Sequence, residues 1–202
     1  MLIIVHRVNT INQLSKISRK KGVEIDLRTN RDKIILSHDP FKIGIDFDEW
    51  LKYYKHKFLV LNVKEDGLER EIIELLKVHK ISNFFFLDQP LPSIIKFIKG
   101  NEKRCAIRIS EYESIESAIC LKGRVEWIWI DFFNKFPLNF DECKYLTDIG
   151  FKLCIVSPEL QKGDFHSVKA LRNKLNNLNI KFHAVCTKYP EIWKEKDLFS
   201  DR

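Results

Sequence analysis

The sequence predicts an α/β protein that folds as a single (β/α)8 barrel of the TIM type with short helices, spanning residues 1–202. Three observations favour this fold. Short apolar runs alternate with helical patterns, most of the runs are nearly continuous, and no glycine-rich phosphate loop follows the first of them. Continuous apolar runs are typical of parallel strands buried on both faces. The rival fold, an open doubly wound sheet, usually carries a glycine-rich loop at that place.

Eight predicted strands account for the apolar runs, as a closed parallel barrel requires. One stretch, between Asp26 and Phe58, departs from the pattern, and residues 33–38 within it predict a short extra strand. The aromatic runs are interpreted as packing, with alternate side chains in the barrel core and in the helix layer. The eight strands are Leu2–Val5, Val23–Leu27, Phe58–Val63, Asn83–Leu87, Cys105–Ile109, Trp127–Phe133, Phe151–Val156 and Phe182–Cys186.

Helical patterns fill several of the gaps between the strands. Thr10 and Gln13 have the spacing of a capping box, and Gly22 is expected to close the segment that they open. A second segment opens at Asp66 and continues with leucine and isoleucine at helical spacing. Four more helical segments are expected, and three of them end at a glycine; they span residues 92–100, 113–123, 139–150 and 167–178.

Composition and charge narrow the classes of function. The net charge is +7 and the basic residues are scattered, whereas nucleic-acid-binding proteins more often concentrate them on one face. We therefore expect no nucleic-acid partner, and the mildly basic surface suits an anionic substrate or a peripheral contact with acidic lipid. No apolar run approaches the roughly 18 residues of a membrane helix. The five cysteines include no CxxC pair, which predicts reduced thiols and a cytoplasmic protein.

Polar residues at the ends of the predicted strands are the candidates for chemistry, because a barrel places its reaction centre there. His6 and Arg7 follow the first strand, and Glu24 and Asp26 lie on one face of the second. Two buried carboxylates repel each other, and a divalent cation such as Mg²⁺ or Ca²⁺ removes that difficulty. An ion pair with a basic residue is an equal alternative; the candidates for it are Arg28, Lys64 and Arg108.

Four further strands contribute candidates. Asn62 and Lys64 share one face of the third strand, and lysine is a point-charge partner for a phosphate or a carboxylate. His38 follows the extra strand, and a second histidine near a pair of carboxylates favours a catalytic interpretation over a structural one. Arg108 within the fifth strand and Asp131 in the sixth could add polar groups at the mouth of the barrel.

Together these motifs resemble those of the glycerophosphodiester phosphodiesterases and the related phosphatidylinositol-specific phospholipases C. That superfamily has a His-Arg pair ending its first strand, here His6-Arg7, and a Glu-x-Asp on its second, here Glu24-Ile25-Asp26. A His-Asp pair follows a dozen residues later, here His38-Asp39. The order and spacing of the motifs cover nearly the whole chain.

The resemblance implies a phosphoric diester hydrolase that uses one divalent cation, Mg²⁺ or Ca²⁺, and acts on a small-molecule or lipid-like phosphodiester. It also implies roles for seven residues. The positions that match the superfamily are His6 and His38 for general acid and base, Glu24, Asp26 and Asn62 for the metal, and Arg7 and Lys64 for the phosphate.

Three positions depart from the pattern of the superfamily. Val8 stands where a glycine usually follows His-Arg, Asn62 replaces a glutamate, and Lys188 replaces the aspartate of a closing Thr-Asp-x-Pro motif. Asparagine offers a carbonyl oxygen but no charge, so we expect weaker cation binding. The alternative hypothesis is therefore a catalytically weakened barrel that binds a phosphorylated glycan, lipid or partner protein without turnover. A third is another barrel enzyme, such as a sugar-phosphate isomerase, with Glu24 or Asp26 as the base.

Overall fold

The computed structural model of the chain describes residues 1–177 and 182–194, which form an α/β barrel. The strands are β1 (Leu2–Val5), β2 (Gly22–Asn30), β3 (Lys33–Leu36), β4 (Ile45–Asp46), β5 (Phe58–Val63), β6 (Phe84–Leu87), β7 (Ala106–Ile109), β8 (Trp127–Ile130), β9 (Lys152–Val156) and β10 (Ala184–Thr187). The helices are α1 (Ile11–Ser15), α2 (Phe47–Leu51), α3 (Glu69–Val78), α4 (Leu91–Lys99), α5 (Ile115–Ile119), α6 (Phe140–Asp148) and α7 (Phe165–Asn177), with a 3₁₀ helix at Pro158–Gln161.

Eight of the described strands follow one another in a ring, in the order β1, β2, β5, β6, β7, β8, β9 and β10. Seven of the neighbouring pairs in this ring are parallel ladders. The remaining pair, β6 and β7, meets at a single parallel bridge between Phe86 and Cys105. The backbone N–H of Phe86 also donates to the carbonyl oxygen of Arg104 at 2.8 Å. The predicted (β/α)8 barrel is therefore confirmed, with a weak closure between β6 and β7.

Alternate residues along the strands face two different apolar clusters. Phe85 and Trp127 belong to the cluster inside the ring, with their ring centroids 4.9 Å apart, while Phe84 and Phe86 pack outside it against the helices. The aromatic runs are thus packing residues, as predicted. On β2, the odd-numbered apolar residues all belong to the outer cluster. Because strand side chains alternate, Glu24 and Asp26 face the inside of the barrel.

The first helical segment is shorter than predicted. Thr10 and Gln13 form the expected capping box, but α1 ends at Ser15. The prediction that Gly22 closes this segment is wrong, because Gly22 is the first residue of β2. A Cβ atom at Gly22 would lie 3.0 Å from Cγ1 of Ile4 and 3.1 Å from the carbonyl oxygen of Phe58. Glycine is therefore needed here for the close approach of three strands.

The sixth predicted strand is also shorter, since β8 ends at Ile130 and not at Phe133. Local hydrogen bonds turn the chain away from the sheet there. Asp131 Oδ1 accepts from the N–H of Phe132 at 2.9 Å, and the Glu111 carboxylate accepts from the N–H of Phe133 at 3.0 Å. At the other end of the chain, α7 begins two residues earlier than predicted, and the predicted end of this helix at residue 178 lies outside the described residues.

The extra strand forms an antiparallel pair with β2 and places one of the candidate histidines. The strand, β3, pairs Leu36 with Leu27 and ends there, two residues before the predicted end. The N–H of Ser37 then donates to the carbonyl oxygen of Asp26 at 3.0 Å, so that His38 follows beside the carboxyl end of β2. The short elements β4 and α2, which complete this insertion, were not predicted.

Two further findings concern membrane-spanning helices and the cysteine thiols. No helix within residues 1–177 or 182–194 combines the length and the apolar character needed to cross a bilayer. All five cysteines lie in the described part of the chain and are free thiols, and Cys120 alone among them is exposed.

Candidate active site

A cavity of about 260 Å³ opens at the carboxyl ends of the ring strands, where barrel enzymes carry their chemistry. Its polar lining comes from side chains on different strands and on the loops that follow them. Nearly all of the residues that the sequence singled out meet there; the cavity is lined by His6, Arg7, Glu24, Asn62, Lys64, Arg108 and Asp131, with Lys188 beside them. His38 and Asp26 do not line this cavity; His38 contacts Arg7 at its edge, and Asp26 contacts Arg7 and Lys64, which do line it.

Glu24 is completely buried and both of its carboxylate oxygens accept hydrogen bonds. Oε2 accepts from the backbone N–H of Arg7 at 2.7 Å, and Oε1 accepts from Nδ2 of Asn62 at 3.0 Å. Burial, and after it the charge of the neighbouring Asp26, raise the pKa of Glu24 to about 7. Positive charge at this point of the barrel would therefore stabilise the ionised pair.

Asp26 is equally buried and is held from two sides. Asn9 donates from Nδ2 to Asp26 Oδ2 at 2.8 Å and accepts from the backbone N–H of Asp26 at 2.9 Å. Lys64 Nζ lies 3.3 Å from Oδ1 and Arg7 Nε lies 3.8 Å from Oδ2. The two carboxylates are thus partly neutralised by residues from β1 and β5.

Of the three basic residues considered as ion-pair partners of this carboxylate pair, the described structure selects Lys64. Arg28 pairs instead with Glu65, at 3.4 Å, and Arg108 pairs with Asp88 and Asp131. The ion-pair alternative is therefore partly realised. It leaves a buried oxygen, Oδ1 of Asp26, without a hydrogen bond, although Lys64 lies near it.

His6 sits directly against the carboxylate pair, with Nε2 3.8 Å from Oε2 of Glu24. Burial, and after it the positive charges of Arg7, Lys188 and Lys64, lower the pKa of His6 to about 3. The imidazole is consequently neutral at pH 7 and able to accept a proton.

His38 is oriented through both of its ring nitrogens. Nδ1 hydrogen bonds to Oδ1 of Asp39 at 2.8 Å, and Nε2 hydrogen bonds to the guanidinium of Arg7. Because Arg7 can only donate, these partners place the ring proton on Nδ1. Arg7 follows His6 in the chain and so links the two histidines. Its backbone adopts φ 55°, an uncommon conformation for arginine, and its N–H is thereby bonded to Glu24.

A chain of alternating charges continues from this centre across the barrel mouth. Lys64 lies 3.6 Å from Asp88, and Arg108 forms ion pairs with Asp88 and, at 3.4 Å, with Asp131. Gln161 donates to both oxygens of Asp131, at 3.0 and 3.1 Å. Burial raises the pKa of Asp131 above its ordinary value. The two additional candidates, Arg108 and Asp131, therefore belong to the same polar network as the carboxylate pair.

Sequence reasoning did not assign three residues of this network. Asp88 ends a predicted strand, which was a usable signal, and it adopts φ 62° at the start of the loop. Asn9 is a polar residue in the first loop after a strand, a weaker signal of the same kind. Gln161 lies in the 3₁₀ helix and has no signal in the sequence, because only the fold brings it to Asp131.

The oxygen atoms available for a divalent cation are those of Glu24, Asp26 and Asn62. Within the described ranges, no group of three or more His, Cys, Asp and Glu side chains is arranged to hold a metal ion. Asp26 and Asn62 are register partners on β2 and β5, and each has a buried Oδ1 that accepts no hydrogen bond. Two carboxylates and an amide oxygen fit a hard cation in chemistry, with one negative charge fewer than three carboxylates would supply.

Comparison with known proteins shows similarity of structure only. No family model matches the chain, and no curated protein matches it. Three solved structures share its fold. A candidate glycerophosphodiester phosphodiesterase from Galdieria sulphuraria has a TM-score of 0.69 and 13% sequence identity, with 94% of each chain covered. A glycerophosphoryl diester phosphodiesterase from Parabacteroides distasonis ATCC 8503 has a TM-score of 0.65 and 12% identity over 95% of this chain and 84% of that one, and a glycerophosphodiester phosphodiesterase from Agrobacterium tumefaciens str. C58 has a TM-score of 0.66 and 11% identity over 95% of this chain and 98% of that one. The chain therefore has the barrel fold of these phosphodiesterases.

Proposed function

We propose that the protein is a phosphoric diester hydrolase that cleaves small-molecule or lipid-like glycerophosphodiesters in the cytoplasm. One observation carries the proposal: a histidine, His6, lies 3.8 Å from a buried carboxylate pair, with Arg7 and Lys64 beside that pair in one cavity. This combination of a proton acceptor, oxygen ligands and fixed cations suits a phosphodiester. The three fold relatives named above are described as phosphodiesterases, and the free thiols agree with a reducing compartment.

The two histidines divide the proton transfers between them. His6, whose imidazole lies against Glu24 in the cavity, is assigned the proton of the attacking water or substrate hydroxyl. His38, protonated on both nitrogens, then donates from Nε2 to the leaving oxygen, while Asp39 holds the ring through Nδ1. This step requires Arg7 to turn from Nε2 of His38 toward the phosphate, which is the stronger partner for a guanidinium.

Fixed positive charge stabilises the phosphate as its negative charge grows. Arg7 and Lys64 lie on opposite sides of Asp26 and reach the cavity, where they can contact phosphate oxygens. Glu24, Asp26 and Asn62 would hold the Mg²⁺ or Ca²⁺, which supplies Lewis-acid stabilisation of the phosphate when it is bound. Arg108 and Asp131 are proposed to orient the far side of the substrate.

A turnover assay tests the proposal directly. Purified protein is incubated with a panel of glycerophosphodiesters and with bis(p-nitrophenyl) phosphate, in Mg²⁺, in Ca²⁺ and in EDTA. We expect alcohol release with a cation and none in EDTA, together with a higher Tm when the cation is present, because a ligand that binds the folded state stabilises it. Absence of turnover for every diester under all conditions would contradict the proposed hydrolase.

A catalytically weakened barrel is the second candidate, and one contact favours it. Asn62 donates its amide N–H to Glu24, so that it acts as a hydrogen-bond donor at the position where a third carboxylate would serve a cation. The protein would then bind a phosphorylated glycan, lipid or partner without turnover. A rise in Tm with Mg²⁺ or Ca²⁺, combined with no release of alcohol, would select this candidate.

Exposed apolar side chains around the cavity favour a lipid-like substrate. Phe41 and Ile43, in the loop after His38, have exposed fractions of 104% and 93% and flank a lysine. Isolated exposed residues are normal on a protein surface, but a cluster indicates an interaction site. Further exposed aromatic residues follow other ring strands at the same end of the barrel, namely Tyr112, Phe133 and Tyr189.

We expect the double variant Phe41→Ser/Ile43→Ser to bind anionic phospholipid vesicles at least about tenfold more weakly than the parent protein. Burying one such side chain contributes about 1.5–3 kcal/mol, and each 1.4 kcal/mol is about tenfold in affinity. The matched control is Val78→Ser, which removes an exposed apolar residue at the end of α3, on the opposite side of the barrel. Vesicle sedimentation measures binding; equal loss in the control and the double variant would refute contact through this loop.

A further inference from the structure

A second cavity, of about 410 Å³, lies in the wall of the barrel between β6 and β7. Just before the two strands reach this cavity, they meet at the bridge between Phe86 and Cys105. Beyond that bridge no ladder joins them in the described structure, and the cavity occupies the gap. Leu87 and Gln89 line it from one strand and its loop, and Ile107 and Arg108 line it from the other.

This side cavity adjoins the candidate active-site cavity described above, because Leu87, Asp88 and Arg108 line both. The ion pair between Asp88 and Arg108 therefore forms the boundary between the two spaces. A molecule bound by its phosphate near Lys64 has room to extend past this pair and into the wall of the barrel.

The side cavity contains an unpartnered polar group. Gln89 is 8% exposed, and neither its amide oxygen nor its amide nitrogen forms a hydrogen bond within the described residues. Buried amides without partners are rare in folded proteins and each one requires an explanation. Of the charged groups nearby, Arg108 forms an ion pair with Asp88, and the Glu113 carboxylate accepts a hydrogen bond from Ser110 at 2.6 Å. The remaining walls include Leu87, Ile94 and Ile107, which are apolar.

The Gln89 amide offers one acceptor and two donor hydrogens. Such a group complements a neutral hydroxyl-bearing ligand, which can both donate and accept, whereas a quaternary ammonium can do neither and a second phosphate would be repelled by the Glu113 carboxylate in the lining. We propose that the side cavity is the subsite for the uncharged polyol alcohol of the phosphodiester, with Gln89 as the specificity-determining residue. This inference rests on the proposed hydrolase function and names its substrate class.

The test compares the parent protein with Gln89→Leu, a substitution of similar volume that removes only the amide. Because the amide has no partner in the fold, the variant should fold and unfold at an equal or higher temperature. We expect kcat/KM for glycerophosphoglycerol and glycerophosphoinositol to fall about tenfold, the size of a lost hydrogen bond to a neutral group. The value for bis(p-nitrophenyl) phosphate, which has no polyol, should not change. A uniform change for all substrates, or no change for any, would overturn the subsite.

A binding measurement separates this inference from the proposed function. If the parent protein hydrolyses no diester, the function fails, and the subsite is then tested with free myo-inositol and glycerol in a thermal shift assay. Polyols stabilise proteins in general, so the difference between the two proteins is the informative quantity. A larger rise in Tm for the parent than for Gln89→Leu supports the subsite, and equal rises in both reject it.

Discussion

We expect the variants His6→Ala and His38→Ala to lose about 10²–10⁴-fold in kcat on glycerophosphodiesters, the usual contribution of a general acid or base. His6 lies against Glu24 at the centre of the cavity, and His38 is held between Arg7 and Asp39 at its edge. His38 is thus held through both ring nitrogens, and His6 is placed by its approach to the Glu24 carboxylate. Steady-state kinetics on the same substrate panel provides the measurement.

These two variants should have a lower kcat but should still fold. Both histidines lie at the ends of strands, outside the two apolar clusters, so far-UV circular dichroism and Tm should stay close to those of the parent. The matched control is His166→Ala, which removes an exposed histidine at the start of α7 that forms none of the site contacts described above, and it should retain full activity. Full activity in either active-site variant would reject the acid–base assignment, whatever the cation does.

The barrel itself could be read from the sequence because its strands are buried on both faces and hence nearly continuous in apolar residues. β1 and β5 match their predicted ranges in full. The closing contact could not be predicted, since a single bridge at Phe86 depends on how far β6 and β7 diverge. The short helix α2 was missed because its five residues give too little periodicity to detect.

The site was predictable to the extent that parallel strands bring their carboxyl ends together. His6, Glu24 and Asn62 end up in one cavity for that reason. The hydrogen-bond direction at Asn62 was not predictable, because it depends on the neighbouring carboxylate across the β2–β5 pair. The role of Asp88 was likewise missed, since it depends on a left-handed backbone conformation that places it between Lys64 and Arg108.

The variant Glu24→Gln should have opposite effects on stability and on activity. Burial and the charge of Asp26 raise the pKa of Glu24 from 4.5 to about 7 in the folded protein, so folding disfavours the ionised form. This free-energy cost is absent at pH values below the pKa of Glu24 in the unfolded chain. It is complete at pH values above the pKa of Glu24 in the folded protein. At pH 8 in EDTA, glutamine at this position should therefore raise the free energy of unfolding by about 3–4 kcal/mol, since each pKa unit corresponds to about 1.4 kcal/mol. At pH 5 the gain should be smaller.

Glutamine can be accommodated at position 24 without new unpaired groups. Its amide oxygen can accept from the N–H of Arg7, and its amide nitrogen can donate to Oδ1 of Asn62, which has no hydrogen bond in the parent. This exchange requires only that the Asn62 amide turn over, a change of low energy for a terminal amide. The turned amide places Nδ2 of Asn62 where the unbonded Oδ1 lay, so the number of unpaired amide atoms at Asn62 stays at one. The expected gain is thus not offset by an additional unsatisfied buried group.

The same substitution should abolish both turnover and the stabilisation by Mg²⁺ or Ca²⁺, because it removes one of the two carboxylates that would hold the proposed cation. The measurements are urea unfolding at pH 5 and pH 8, with and without cation, and kcat on the substrate panel. Glu71→Gln, at an exposed position in the first turn of α3, is the control and should change neither quantity. If Glu24→Gln were less stable than the parent in EDTA at pH 8, then Lys64 and Arg7 already neutralise the pair, and the case for a cation at this site would be lost. A more stable but inactive variant would instead mean that the two buried charges lower the free energy of unfolding but are required for the reaction.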